Sequence, residues 1–193
     1  MRKQLTPAIL SYEGIQYQYM APSVFETVQY DYIQEHLRIW SGFYGVLKPM
    51  DGATPYRLEM QAKLACGGYK NLYDYWGSTI YDEVIDISRI IINLASKEYA
   101  KCIEKFLEPE DTYITCVFGA SDGEKVRQKG TYAKMARGEM VRFMAEHGVE
   151  DLQELKQFDR LGYCYREELS TETEYVFLKN SGDNANIRAC NSI

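Results

Sequence analysis

The chain has 193 residues, of which 46% are hydrophobic and 26% are charged, a composition typical of a globular protein. This length suits one domain with a sizeable core or two small domains. Its formal net charge of −6 at pH 7 argues against a surface that is basic throughout, although it allows a local basic patch. No apolar run approaches the roughly 18–20 residues of a membrane-spanning helix, and the first residues lack the apolar core of a signal peptide. We therefore expect a cytoplasmic protein without a membrane partner.

The cysteine and histidine content argues against a disulfide framework and a zinc site. The 5 cysteines are widely spaced and form no CxxC pair, which favours reduced thiols. Only His36 and His147 offer imidazole ligands, so we expect no metal site and assign no cofactor. Tyrosine is unusually frequent, with 17 Tyr against 7 Phe, and it suits both the boundary of a core and a polar pocket.

Short apolar segments separated by turn residues make up the first third of the chain. Residues 8–19 mix apolar and aromatic side chains, and 24–39 have apolar residues near helical spacing, which predicts a helix before Ser41-Gly42. Residues 46–52 form a short apolar piece followed by a turn with Pro and Asp-Gly. Residues 58–64 predict a strand or a single helical turn.

The middle of the chain predicts a helix, a strand and another helix. Apolar residues recur near a 3.6-residue period over 70–87, which indicates one amphipathic helix. The β-branched run within 89–95 is typical of a buried strand. Ser96 is suited to cap a helix over 97–106, with Glu98 in its first turn.

A long helix dominates the prediction for the last third. Residues 112–118 alternate and predict a strand, and 119–123 predict a loop. Apolar residues share one face of 131–147, which predicts a helix that ends at Gly148. Residues 151–158 then predict a short second helix.

The order of these elements predicts the fold class. A closing hairpin is expected from 163–165 and 175–178, and strands that alternate with helices favour a mixed α/β (α+β) fold. We expect a single domain over residues 1–179 with a mixed β-sheet flanked by helices. Residues 180–193 are polar and lack periodicity, which predicts a disordered tail.

The strongest charge pattern is a basic segment over 125–142. It contains six basic residues and one acidic residue, a local net charge of +5, so the remaining residues carry −11. The first three basic residues precede a helix, whose N-terminal amides add to the attraction for phosphate. The segment is either the solvated face of a helix or a DNA-binding face formed by Lys125, Arg127, Lys129, Lys134, Arg137 and Arg142.

The two predicted helices around Gly148 form a helix–hairpin–helix-like element near the C-terminal third. Elements of this kind bind the DNA backbone through hairpin amides and nearby basic side chains, without reading bases. Glu146, Glu150 and Asp151 flank the turn here and repel phosphate. An ordinary corner between two helices is therefore the alternative interpretation.

A second cluster of charged and aromatic residues lies among Gly and Pro residues over 38–59. Loops held by such turn residues present polar groups to a cleft. Arg57 and Glu59 either bind a polar small molecule or form a structural ion pair. The sequence contains no P-loop, dinucleotide-binding, Ser-His-Asp or Cys-His pattern.

Several ordered segments resemble the YaaA-type family of peroxide stress resistance proteins. Residues 36–51, HLRIWSGFYGVLKPMD, resemble the signature of the family, and 55–60, 92–99 and 132–140 continue the match. The resemblance covers roughly 8–179. The hydrophobic strand and the Ser-Pro-Ala-Lys-Thr segment with which members of the family begin have no match here, so we expect a domain that lacks its opening segment.

The resemblance implies a single mixed α/β domain in a bacterial, cytoplasmic protein of the oxidative stress response. It also implies non-specific binding of double-stranded DNA, a helix–hairpin–helix-like element and a role in limiting free intracellular iron. The family implies a process rather than a reaction, so enzyme activity stays open. Direct iron binding would need carboxylate ligands, since the chain has 2 His and no Glu-x-x-His pair.

The family motifs also support an alternative function, an enzyme or a protein that binds an unknown small molecule. Fixed spacings of Gly, Tyr and Glu suit a shaped pocket better than an exposed charged face. The candidate pocket residues are Arg38, Tyr44, Lys48, Arg57, Glu59, Ser96 and Glu98. Besides Tyr44, four tyrosines within the motifs are further candidates, namely Tyr56, Tyr99, Tyr132 and Tyr163.

Overall fold

A computed structural model describes residues 5–65, 67–122 and 125–179, with Asp122 and Lys125 described by their backbone alone. The chain forms two compact units. The first combines Met1–Tyr12 with Tyr30–Tyr113, and the second combines Glu13–Gln29 with Ile114–Ile193. The segment expected to be a disordered tail, 180–193, lies outside the described residues.

The fold is mixed α/β, as the sequence predicts. The α-helices of the described residues are α1 Ala8–Ser11, α2 Ile15–Met20, α3 Thr27–His36, α4 Leu72–Trp76, α5 Thr79–Val84, α6 Lys97–Glu104 and α7 Gly130–His147. The strands are β1 Thr6–Pro7, β2 Ile39–Ser41, β3 Gly45–Leu47, β4 Gly52–Ala53, β5 Ile90–Asn93, β6 Thr112–Asp122, β7 Lys125–Arg127, β8 Tyr163–Tyr165 and β9 Glu174–Lys179. Short 3₁₀ helices lie at Pro22–Val24, Glu154–Gln157, Arg160–Gly162 and Glu167–Leu169.

The first unit contains two antiparallel strand pairs, β1 with β4 and β2 with β3. The single helix expected over 70–87 is wrong, because the chain breaks between α4 and α5. Gly77 ends α4 with φ 50 and ψ −130, a conformation that favours glycine. Leu72, Ile80 and Tyr81 nevertheless enter one buried cluster, so the apolar periodicity correctly marked the core.

The second unit is built around β6. This strand pairs antiparallel with β7 and parallel with β9, and β9 pairs antiparallel with β8, so the sheet is mixed. The hairpin expected from 163–165 and 175–178 is confirmed as β8 and β9. The loop expected over 119–123 is wrong for residues 119–122, since β6 continues to Asp122, and residue 123 lies outside the described residues. The pairing of β6 with β7 places Arg127 in a strand.

An aromatic cluster forms the core of the second unit. Phe118 stacks on Phe177, with ring centroids 5.2 Å apart, and meets Phe158 and Tyr163 edge-on at 5.7 and 5.6 Å. Phe143 of α7 contacts Phe158 at 5.6 Å. Each of these side chains is at most 5% exposed. Aromatic burial and edge-on pairing therefore hold the sheet and α7 together.

Helix α7 is the predicted 131–147 helix, begun one residue earlier, and Gly148 ends it in the left-handed conformation, as expected. The second helix expected over 151–158 is wrong, because only the 3₁₀ helix Glu154–Gln157 forms. A carboxylate oxygen of Glu154 accepts hydrogen bonds from the amides of Glu150 and Asp151. Glu154 thus satisfies two amides that precede the 3₁₀ helix.

Helices α2 and α7 pack backbone to backbone at Gly138. A Cβ atom at this position would lie 2.1 Å from the carbonyl oxygen of Gln16 and 2.9 Å from the amide nitrogen of Met20. Neither backbone atom belongs to a flexible side chain, so the helices would have to separate. Glycine at 138 thus sets the closest approach of the two helices.

We predict that Gly138→Ala lowers the free energy of unfolding by about 2–3 kcal/mol, because the added methyl group overpacks this contact. Gly130→Ala in the first turn of α7 is the matched control, since a Cβ there meets nothing within 4 Å. That variant should be neutral or more stable by about 0.4–1 kcal/mol. Urea unfolding followed by circular dichroism gives both values, and equal stabilities of the two variants would contradict the packing argument.

Candidate functional site

A depression of about 190 Å³ lies at one end of the sheet in the second unit. Its described lining residues are Gly119, Ala120, Arg127, Lys129, Tyr132, Tyr163 and Lys179. They come from the ends of β6, β7 and β9, from the beginning of β8 and from the start of α7. Two predicted DNA contacts, Arg127 and Lys129, therefore meet two predicted pocket tyrosines, Tyr132 and Tyr163.

The strand register places four of these residues in one row across the sheet. Ala120 pairs with Arg127 on one side and with Lys179 on the other, and Lys179 pairs with Tyr163. Directly paired residues project from the same face of a sheet. The small side chain of Ala120 therefore leaves room between two long cations.

Cationic side chains predominate in the described lining of the depression. Arg127, Lys129 and Lys179 line it, and no carboxylate is found among its described lining residues. Lys129 is also the N-cap of α7, and its side chain makes no capping hydrogen bond. The first amides of this 18-residue helix add a partial positive charge at the same place.

Two tyrosines complete the depression. The ammonium of Lys179 lies over the ring of Tyr132, 4.7 Å from the ring centroid. Tyr163 is 2% exposed, and its hydroxyl makes no hydrogen bond to any described residue. Burial, with a smaller contribution from Tyr132, raises the pKa of Tyr163 above its ordinary value, so the hydroxyl is a hydrogen-bond donor at neutral pH.

The other predicted DNA contacts lie further along α7, except for Lys125, whose side chain is outside the described residues. Lys134 is exposed, whereas Arg137 is partly buried, and its Nε makes no hydrogen bond to a described residue. Burial lowers the pKa of Arg137 and raises that of the neighbouring Cys116 thiol to about 12.

Arg142 belongs to an ion-pair network at the C-terminal half of α7. Its Nε lies 2.7 Å from a carboxylate oxygen of Glu146. Arg160 contacts Glu146 as well and lies 3.3 Å from Glu139. Two cations thus meet two carboxylates, and this half of the helix carries little net positive charge.

The predicted small-molecule pocket is not assembled by direct contacts between its charged residues. Arg57 and Glu59 are exposed, and within the described residues no ion pair joins them. Lys48 is exposed as well, and Arg38 donates to the carbonyl oxygens of Glu35 and Leu37. Two of the remaining members hold local structure: Tyr44 bonds to Thr54, and Glu98 accepts from the amide of Gln61. Ser96 occupies the N-cap position of α6, but its side chain does not make the capping hydrogen bond expected from the sequence.

A hydroxyl cluster surrounds one of those residues, Tyr44. Ser41 is fully buried, and its hydroxyl oxygen accepts from the amides of Phe43 and Tyr44 at 3.1 and 2.8 Å. The Tyr56 hydroxyl lies 2.5 Å from that of Ser41 and 2.8 Å from that of Tyr12. These bonds fix the turn between β2 and β3, so the SGFYG part of the signature has a structural role.

The matched segments of the resemblance occupy defined places: the signature includes β2, β3 and the turn between them, and the YAKMARGEM segment lies within α7. A family profile described as "Peroxide stress protein YaaA" matches residues 1–169. The chain belongs to this family. The resemblance given by the sequence motifs is thereby confirmed.

Relatives in the YaaA family come from several bacteria. A UPF0246 protein of Agathobacter rectalis is 66% identical over 174 residues, which cover 90% of this chain and 70% of the relative. A UPF0246 protein of Lachnoclostridium phytofermentans is 59% identical over 183 residues, covering 95% and 72%. One from Pediococcus pentosaceus is 56% identical over 180 residues, covering 93% and 72%.

Three expectations drawn from the composition can be compared with the described residues of this YaaA-family chain. No helix in the described part is both long and apolar enough to cross a bilayer. No three His, Cys, Asp or Glu side chains among the described residues are grouped as ligands for a metal ion. Cys102 and Cys116 are free and buried, but Cys164 is disulfide-bonded, so the expectation of reduced thiols is wrong for that residue.

Site residues outside the basic segment and the family motifs were missed by the sequence argument. Lys179 is the main one, although the hairpin prediction contained the signal. Extending the expected strand 175–178 by one residue places Lys179 opposite Tyr163, as observed. The row of paired residues becomes visible only once β6 is known to extend to Ala120.

We predict a pH-dependent contribution of the ion-pair network to stability. Burial alone would raise the pKa of Glu146, but hydrogen bonds from Arg142 and Arg160 outweigh it, so the pKa lies below its ordinary value of 4.5. A depressed carboxylate pKa stabilises the folded state above the unfolded-state pKa and loses this effect as pH falls through the folded-state pKa.

Urea unfolding at several pH values from neutral to below 4.5 tests this prediction. Glu146→Gln should reduce stability at neutral pH and flatten the loss of stability with acid. Glu172→Gln is the control, because Glu172 is exposed and has no ion pair among the described residues. Parallel pH profiles for the wild type and Glu146→Gln would show that the network does not act in this way.

Proposed function

We propose that this chain binds the phosphate backbone of double-stranded DNA without reading base sequence, as part of a bacterial response to peroxide stress. The observation that carries the proposal is the electropositive depression, where Arg127, Lys129 and Lys179 converge at the start of α7. Lysine and arginine side chains and helix N-terminal amides are the groups that contact DNA phosphates.

The distribution of charge on α7 supports a definite orientation on DNA. The ion-pair network neutralises Arg142 and Arg160, whereas Lys134 is exposed and has no ion pair among the described residues. Positive charge therefore concentrates on the N-terminal half of the helix, beside the depression. We place the phosphates there, with Arg127, Lys129, Lys134 and Lys179 as their contacts.

The helix–hairpin–helix-like element contributes little to this proposal. The second element after Gly148 is a four-residue 3₁₀ helix, and Glu154 holds two of the amides that a phosphate would need. Membership of the YaaA family supports the peroxide stress context. Limitation of free iron stays a prediction from the resemblance.

We predict that Lys129→Gln weakens duplex binding and reduces the dependence of affinity on salt. Each phosphate contact contributes about 0.9 to the slope of log affinity against log salt concentration, because binding releases counterions. The loss of one contact should lower the slope by about that amount. Fluorescence anisotropy with unrelated duplex sequences between about 50 and 200 mM salt measures both quantities.

Arg142→Gln is the matched control for this experiment. It removes one cation from the same helix, but that cation is already paired with Glu146. We expect its salt slope to equal that of the wild type. Duplex affinity that does not respond to salt, or an equal loss of slope in both variants, would exclude the proposed contact surface.

A further inference from the structure

We propose that Met50 is a reversible oxidation site, the described methionine that hydrogen peroxide modifies first, and that its sulfoxide makes an exposed surface of the first unit less apolar. The inference is independent of DNA binding, because it concerns the other unit of the chain and a different chemistry. The family profile that the chain matches is that of a peroxide stress protein, so hydrogen peroxide is the oxidant that we consider.

Met50 is far more exposed than the other methionines of the described residues. Its exposed fraction is 51%, whereas that of Met20 is 2%. The described methionines that are less exposed than Met50 are Met20, Met60, Met135, Met140 and Met144. Peroxide oxidises a thioether where it can reach the sulfur, so the fold directs the reaction to Met50.

The free thiols of the described residues do not compete with Met50 for the oxidant. Cys102 and Cys116 are free and buried. Burial raises the pKa of each thiol to about 12, so both stay protonated at neutral pH. The thiolate is the reactive form of cysteine, whereas a thioether has no proton to lose. An exposed thioether therefore reacts before either of these thiols.

The reaction at Met50 needs only the peroxide. The sulfur attacks one peroxide oxygen, an S=O bond forms, the O–O bond breaks, and the second oxygen leaves as water. Sulfur loses two electrons, which reduce the peroxide. Methionine sulfoxide reductases reverse the step with two thiols, which become a disulfide while the oxygen leaves as water. The modification is therefore reversible.

Hydrogen bonds that do not involve the Met50 side chain hold the turn in which it lies. The Met50 amide donates to Oε1 of Gln34 in α3 at 2.9 Å. The Lys48 amide donates to a carboxylate oxygen of Asp51 at 2.7 Å. Oxidation of the thioether leaves both bonds in place, so we expect the oxidised chain to keep its fold.

Met50 lies near two other exposed apolar side chains of the first unit. Backbone hydrogen bonds tie the start of α1 to residues 49 and 51, and Leu10 of this helix is 46% exposed. Leu5 is 60% exposed and lies against Gly52, where a Cβ atom would be 2.8 Å from Cδ1 of Leu5. Because a sulfoxide is polar, oxidation of Met50 reduces the apolar character of this surface.

The first test treats the full chain with hydrogen peroxide and follows each methionine by peptide mass spectrometry. In the folded chain, Met50 should gain oxygen about 25-fold faster than Met20, the ratio of their exposed fractions of 51% and 2%. The same reaction in urea is the control, since unfolding exposes both side chains and should equalise their rates. Equal rates in the folded chain, or an equally large difference in urea, would overturn the inference.

The second test measures the surface and the fold. On hydrophobic interaction chromatography, the oxidised chain should elute earlier than the untreated chain, and a sulfoxide reductase with a dithiol should restore its elution. Met50→Gln should elute early without peroxide, whereas Met50→Leu should not shift on peroxide treatment. A full shift in Met50→Leu would assign the change to another residue, and a lower urea midpoint after oxidation of Met50 would show that the turn is not preserved; either result overturns the inference.

Discussion

The register of β6 between β7 and β9 is the constraint on which the candidate site depends. It aligns Arg127, Ala120, Lys179 and Tyr163 across four strands. Because successive residues of a strand point to opposite faces, a slip of one residue would send Ala120 and its neighbours to the other face of the sheet. The site is therefore built on paired strands, which hold side chains more firmly than a loop does.

The aromatic core explains why this register is held. Phe118 and Phe177 are paired in register and stacked. Phe118 lies two residues before Ala120, and Phe177 lies two residues before Lys179, so the aromatic pair is next to the row of four aligned residues. The same face of the sheet thus carries a buried aromatic row and, one pleat further, the electropositive depression. Any shift that displaced the row would remove Phe118 and Phe177 from the core, at a cost of several kcal/mol (about 3–5 for the loss of one buried Phe side chain).

Much of the second unit could be predicted from the sequence, because its elements have strong local signals. The apolar face of α7 and the left-handed Gly148 follow from helical periodicity and from the preference of helix C-termini for glycine. The extent of β6 did not follow, since Gly119 reads locally as a turn residue. Its strand conformation comes from pairing with β9, where Gly119 faces Leu178, and such tertiary contacts leave no local pattern.

The same limit applies to the site. The excess of basic residues over 125–142 identified the region, but charge counting treated six cations as equivalent. The structure separates them by partner: Arg142 meets Glu146, Arg137 lies beside Cys116, and Arg127 and Lys129 line the depression. These neighbours lie on other turns or strands, so only the folded chain shows which of the six cations line the depression.

One tyrosine at the edge of the core shows a physical reason for tyrosine rather than phenylalanine at such a position. Phe118 and Phe177 are at most 1% exposed and need no polar group. Tyr163 is nearly as buried, and its ring packs edge-on against Phe118 in the core, but the residue also lines the depression. Phenylalanine would serve the first purpose alone. Tyr163 is therefore both a residue of the core boundary and a residue of the depression, so both interpretations of the tyrosine-rich composition apply at this position.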